Sequence, residues 1–113
     1  MTMLKRSTCP ITNVLDLVGD KWSLLVVRDI LIHNKHRYGD FLASDEGITT
    51  NILADRLKRL EQVEILEKTP YQHNPVRYDY YLTPKGQALA PLVMEMVKWG
   101  LQYIPGTGPQ PHI

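Results

Sequence analysis

Three groups of side chains in this 113-residue sequence have types and spacing that suit chemistry. The first is Thr49-Thr50-Asn51, followed at helical spacing by Lys58 and Arg59. An Asn amide can make two bonds to adenine, Thr can meet a phosphate or a thymine methyl, and Lys and Arg suit phosphates. The second is His73 and Arg77, which flank Asn74-Pro75. An arginine there can enter the narrow minor groove of DNA, where the potential is more negative, or it can pair with Asp79 or Glu67 across a hairpin. The third is the thiol of Cys9, the lone cysteine, with Pro10 after it and Lys5, Arg6 and Lys21 nearby in sequence. A helix N-terminus and neighbouring cations lower a thiol pKa, whereas a small buried packing residue is the commonest fate of a free cysteine. His33 and His36 form no recognised metal set with a cysteine so far away, so neither a metal nor a cofactor is expected. The chain has no Gly-rich phosphate loop, no paired carboxylates in a plausible site and no nucleophile with a partnered histidine, which argues against an enzyme.

The elements that must hold these residues follow from periodicity. Apolar Leu53, Leu57 and Leu60, with Ile52 beside them, make the stripe of an amphipathic helix running to about Val63. Thr49 precedes it as a cap, and Ser44-Asp45-Glu46-Gly47 ahead of that is a run of turn formers. Asn51, Ala54, Asp55, Lys58 and Gln62 fall on the polar side, with Thr50 and Arg59 flanking it. Asp55 can pair with Arg59 one turn on. Arg56 points partly toward the core side and suits a structural ion pair.

Two β-rich runs follow, Ile65 to Tyr71 and Val76 to Leu82, and Gln72-His73-Asn74-Pro75 separates them. Upstream, Pro10 opens a first helix that ends at Gly19, and Asp20 caps a second from Lys21 to about His33. Leu24, Leu25, Val27, Ile30 and Leu31 make the second the central core helix. Arg37-Tyr38 reads as a residue or two of edge strand before a short helix from about Gly39 to Ala43. Thr83-Pro84 starts a last helix to about Tyr103, kinked at Pro91. The expected fold is mainly α with a small β-hairpin. A short helix, a turn, a capped helix and a hairpin is the order of a winged helix-turn-helix, with the capped helix in the major groove and the hairpin as the wing.

Composition sets the frame. Net charge is only +1 and hydrophobic content 43%, so any electrostatic case for a nucleic-acid partner must be local. The single cysteine rules out an internal disulfide and fits a reducing compartment. The N-terminus lacks the apolar stretch of a signal peptide, and no apolar run could span a bilayer. A cytoplasmic protein without a membrane partner is expected. Its parts would be a flexible arm at residues 1–8, one winged-helix DNA-binding and dimerisation domain at 9–104, and a flexible tail at 105–113.

The last helix has more apolar surface than one domain needs. Leu89, Val93, Met96 and Tyr103 form one stripe; Met94, Val97, Leu101 and Ile104 form a second. If the first faces its own domain, the second needs a partner, and a homodimer supplies one. The other reading is a broad core helix in a monomer.

The pattern Cys9-Pro10, Leu15-Asp16-Leu17-Val18-Gly19-Asp20-Lys21-Trp22, Leu24-Leu25 and Arg28-Asp29-Ile30-Leu31 resembles the HxlR-type transcriptional regulators. Arg37-Tyr38-Gly39-Asp40-Phe41, Gly47-Ile48, Leu53, Arg56-Leu57, Leu60-Glu61, Tyr81-Leu82-Thr83, Gly86 and Trp99-Gly100 continue the match. It covers residues 9 to about 100. The resemblance implies a dimeric winged helix related to the MarR group that binds operator DNA as a repressor or activator. It also makes Cys9 a candidate sensor, because several members sense oxidants, quinones or aldehydes through a cysteine at this position. One departure is Val63-Glu64, where the family usually carries Gly. A left-handed residue other than Gly costs about 1 kcal/mol or slightly more.

Together these readings give a homodimeric, sequence-specific regulator, with repression the favoured sign, acting on an inverted-repeat operator and responsive through Cys9 to an oxidant or electrophile. The alternatives are a regulator with a small-molecule effector in a pocket near the dimer interface, and a winged helix that assembles with proteins and binds no DNA.

Overall fold

The computed structural model describes residues 5–108; the first part of the expected arm and the last part of the expected tail, residues 1–4 and 109–113, lie outside them. The element order is α1 (Pro10–Val18), α2 (Ser23–Leu31), α3 (Tyr38–Leu42), α4 (Thr50–Gln62), β1 (Leu66–His73), β2 (Val76–Leu82), α5 (Pro84–Gln87) and α6 (Ala90–Tyr103). Helices thus dominate, with one antiparallel hairpin of β1 and β2.

The core gathers one face from each element. Val26, Val27 and Ile30 of α2 meet Phe41 of α3, the Leu53, Leu57 and Leu60 stripe of α4, Ile65, Leu66 and Leu82 at the base of the hairpin, and Val93 of α6. The three α4 leucines are essentially removed from water. At about 2 kcal/mol for each fully buried leucine, they pin that helix by one side and leave its polar side outward.

Local chemistry explains the boundaries. Cys9, in extended conformation, precedes Pro10 at the start of α1. Gly19 ends that helix in a right-handed conformation; a Cβ there would sit 2.4 Å from the Leu15 carbonyl oxygen, so a close approach and not a left-handed cap requires glycine. The Asp20 carboxylate accepts from the backbone N–H groups of Trp22 (3.0 Å) and Ser23 (3.1 Å) and so starts α2 as expected. Thr49 and Thr83 cap α4 and α5 through their hydroxyls. Arg37 forms one isolated antiparallel bridge with Asp79, the expected scrap of edge strand.

Several details differ from the sequence expectations. Strand β1 runs on to His73, with an irregularity between Pro70 and Gln72, so the hairpin tip is only Asn74-Pro75, joined by a cis peptide. The last helix is two helices rather than one kinked rod. Pro91 lies in the first turn of α6, and the chain turns at Ala88 and Leu89 to reach it. Proline lacks an N–H and disfavours helix before it, so the break falls upstream of the ring. Leu24 and Leu25 are only half-buried, while Ser23, Val26 and Asp29 take the interior side of α2. Glu64 is left-handed at φ 64°, the position where the sequence lacks glycine. On α6 the expected division of faces fails. Val93 is buried, but Met94, Met96, Trp99, Leu101, Tyr103 and Ile104 are all between 46% and 60% exposed.

Candidate nucleic-acid interface

The residues expected to meet DNA all reach solvent. Thr49, Thr50, Asn51, Lys58 and Arg59 are exposed along α4, and His73 and Arg77 are exposed near the wing tip. The Thr49 hydroxyl accepts from the Ile52 N–H at 3.4 Å. The Thr50 carbonyl accepts from the Tyr38 hydroxyl at 2.7 Å, so α3 grips the first turn of α4. Lys58 makes no ion pair among the described residues. Arg59 lies 3.9 Å from Asp55, at the limit of a bridge.

Arg56 is a structural residue. Its Nε donates to Asp20 at 2.8 Å, and its Nη1 donates to Asp55. Asp20 also accepts from the Ser23 hydroxyl at 2.5 Å. One carboxylate therefore ties the N-terminus of α2 to the middle of α4. Desolvation pushes the Asp20 pKa up, but the Ser23 hydroxyl, the Arg56 guanidinium and the two backbone N–H groups outweigh it and hold the group at about 2.

A second network braces the turn before α4. Arg28 donates to Asp29 (2.7 Å) and forms a two-pronged pair with Glu46 (2.8 and 2.9 Å). Buried Asp29 accepts from the Ser44 hydroxyl at 2.5 Å, and Lys35 donates to that hydroxyl at 3.0 Å. Glu46 ionises below the usual carboxylate range because Arg28 bonds its charged form. This network is absent from the sequence reading; only the abundance of charge in a turn beside a core helix hinted at it.

The wing has its own brace. Arg77 does not pair with Asp79 or Glu67. Arg37 takes Asp79 instead, with Nε donating at 3.0 Å, and its guanidinium lies 3.8 Å over the Tyr71 ring. The Tyr80 N–H donates to the His36 carbonyl at 2.7 Å, and the His36 ring bonds the Tyr80 carbonyl at 2.9 Å, so β2 is fastened to the segment ahead of α3. Tyr80 packs edge-on against Phe41, and the Lys68 ammonium sits 4.5 Å over Tyr78. Both rings pack rather than offer free stacking platforms.

This arrangement, a capped helix buried by its leucine face behind a braced turn and beside a short hairpin, invites comparison with known proteins. A family model for the HxlR-like helix-turn-helix matches residues 17–107. The chain belongs to this family. The HxlR-like chain is 36% identical over 96 residues to the HTH-type transcriptional regulator sll1512 of Synechocystis, spanning 85% of this chain and 70% of that one. The structure of PA1607, described as a proposed transcription factor, superposes with a TM-score of 0.81 at 36% identity, over 94% of this chain and 74% of that one. The redox regulator HypR in its oxidised form superposes with a TM-score of 0.74 at 32% identity, over 83% and 96%. The HxlR-like protein is therefore a winged-helix transcriptional regulator and not an enzyme. Structures of the MarR family are among those it resembles.

Cys9 sits at the mouth of α1, half-buried. Hydrogen bonding from the backbone and side chain of Thr12, and from the Ile11 N–H, favours the thiolate and lowers its pKa. Among the described residues no group of His, Cys, Asp and Glu could hold a metal, and no helix is long and apolar enough to cross a membrane.

Proposed function

We propose that this HxlR-like protein acts in the cytoplasm as a homodimer on an inverted-repeat operator and represses by occupying it. The observation that carries the reading is the first turn of α4. Thr49, Thr50 and Asn51 stand exposed there, while Leu53, Leu57 and Leu60 lock the opposite face into the core. Asn51 and Thr50 read base edges, Lys58 and Arg59 meet phosphates, and His73 and Arg77 enter the minor groove. The dimer forms through Met94, Val97, Leu101 and Ile104 with α1 alongside, since both helices leave apolar side chains uncovered: Ile11, Val14 and Leu15 are also exposed. Two-fold symmetry then sets the recognition helices roughly 34–36 Å apart, one turn of DNA.

Cys9 is the trigger in this reading. Its lowered pKa supports reactivity toward oxidants and electrophiles, and the redox regulators HypR and YodB share the fold. A second trigger is favoured by one observation. An open apolar cleft of about 540 Å³ runs between α1, α2 and α6, lined by Ile11, Val14, Leu15, Leu24, Leu25 and Met96 among others, and could seat a hydrophobic effector.

Selection from a randomised duplex pool, followed by titration across salt, tests the core of the proposal. The selected sites should be inverted repeats. Asn51→Ala should relax preference at one position and cost roughly 1–3 kcal/mol. Lys58→Ala should weaken all sequences alike. If no duplex is enriched, the surface serves protein assembly instead. Cys9→Ser should bind the same duplex and lose its response to peroxide, quinone or aldehyde; a response that persists would move the trigger to the cleft.

A further inference from the structure

Between the start of α3 and the wing the surface dips into a cavity of about 370 Å³, lined by Arg37, Tyr38, Gly39, Tyr71, Arg77 and Tyr78 among others. Its position is fixed from both sides. Tyr38 is bonded to the first residue of α4, and Tyr71, Arg77 and Tyr78 belong to the hairpin. When a recognition helix occupies the major groove and a wing the adjacent minor groove, a single sugar–phosphate strand separates them. On the DNA reading of α4 proposed above, which this inference rests on, that strand passes over the cavity.

Arg37 is prepared for it. Asp79 Oδ1 holds Nε at 3.0 Å, and the Tyr71 ring holds the guanidinium plane at 3.8 Å. Neither terminal nitrogen has a hydrogen-bond partner among the described residues, and the side chain is 54% exposed. A guanidinium held in one plane with two free N–H edges presents the fork that fits two phosphate oxygens, and it gives up little rotamer freedom on binding. Asp79 and Asp40 offset its charge, and Arg77 on the wing side of the cavity brings these four charges to neutral. We infer that Arg37 is a clamp for the backbone phosphate lying between the two grooves, with Tyr71 and Asp79 as positioning residues.

The experiment uses the full chain and the duplex enriched from the random pool, with binding followed by fluorescence anisotropy across salt. Arg37→Gln should lower affinity roughly tenfold at low salt and reduce the slope of log K against log salt by about one, with base preference unchanged. A scan of single neutral methylphosphonates along the duplex should find one linkage whose neutralisation weakens the wild type and leaves Arg37→Gln unaffected. Asp79→Asn separates recognition from bracing: it keeps an acceptor for Nε and removes a negative charge, so binding should tighten about threefold. If Arg37 only braces the wing, Asp79→Asn leaves binding unchanged or weakens it, and the clamp is overturned. An unchanged salt slope in Arg37→Gln, with a wild type that binds normally, overturns it as well. A wild type that binds no duplex overturns the DNA reading itself, a distinct result.

Discussion

Replacing Asp20 by Asn tests how the recognition helix is held. The carboxylate accepts four hydrogen bonds, from the N–H groups of Trp22 and Ser23, the Ser23 hydroxyl and Arg56 Nε. Asn keeps an oxygen for the backbone cap and loses the charge that Arg56 meets. The pKa falls from the ordinary 3.8 to about 2, and at about 1.4 kcal/mol for each pH unit this is worth about 2.5 kcal/mol at neutral pH. The Asp20 side chain is 21% exposed, so solvent screening trims the figure to about 1–2 kcal/mol. The sign follows from the direction. A carboxylate whose pKa is lower in the folded state stabilises above its unfolded pKa, and that stability is lost as pH falls from about 5 toward 2. Wild type should therefore exceed Asp20→Asn by about 1–2 kcal/mol at pH 7, and the gap should close as pH approaches 2. Urea denaturation followed by tryptophan fluorescence, with both proteins at one concentration because the stability of the proposed dimer would depend on it, measures the gap at each pH. A gap that stays constant with pH, or no gap at pH 7, would refute the account of Asp20 as a charged tie.

Three further outcomes are expected. Gly86→Ala should destabilise by several kcal/mol or prevent folding, because its Cβ would sit 2.2 Å from the Ile65 carbonyl oxygen, a backbone atom; thermal melting reads this. Glu64→Gly should raise stability by about 1 kcal/mol, since Glu64 holds φ 64° without the freedom of glycine, and denaturation at pH 7 should show it. Leu101→Glu should convert a dimer to a monomer or an insoluble chain, and sedimentation that shows no change in oligomeric state would remove α6 from the interface.

The fold was legible where periodicity and capping agree. The leucine stripe of α4 and the Thr49 and Thr83 caps follow from local rules that the tertiary structure does not override, whereas the left-handed turn at Val63-Glu64 was indicated only by the family resemblance. The break before α6 was misplaced because Pro91 marks a discontinuity without saying whether the chain kinks or starts a new helix. The exposure of α6 was missed because two apolar stripes do not reveal which of them the domain can reach. At the candidate site, the exposed residues of α4 and the structural role of Arg56 were readable from the helical wheel. The choice of Arg37 over Arg77 as the partner of Asp79 was not. It depends on α3 and the wing meeting across 42 residues of chain, which no spacing rule encodes.

The bonds around α4 carry a mechanical consequence. Its first turn is fastened to α3 through Tyr38, its middle to α2 through Arg56 and Asp20, its inner face by three leucines, and its leading turn by Arg28 and Glu46. A helix anchored at so many points cannot swivel inside its own protomer without breaking several of them together. The protomer then behaves as a stiff tool with a fixed reading edge. In the homodimer proposed above, a signal that alters DNA affinity has one inexpensive route, which is to change the distance or angle between two such tools at their joint. Sensitivity to an effector should accordingly concentrate in α1 and α6, far from any base, and substitutions there should shift the preferred spacing between half-sites while leaving the sequence of each half-site untouched.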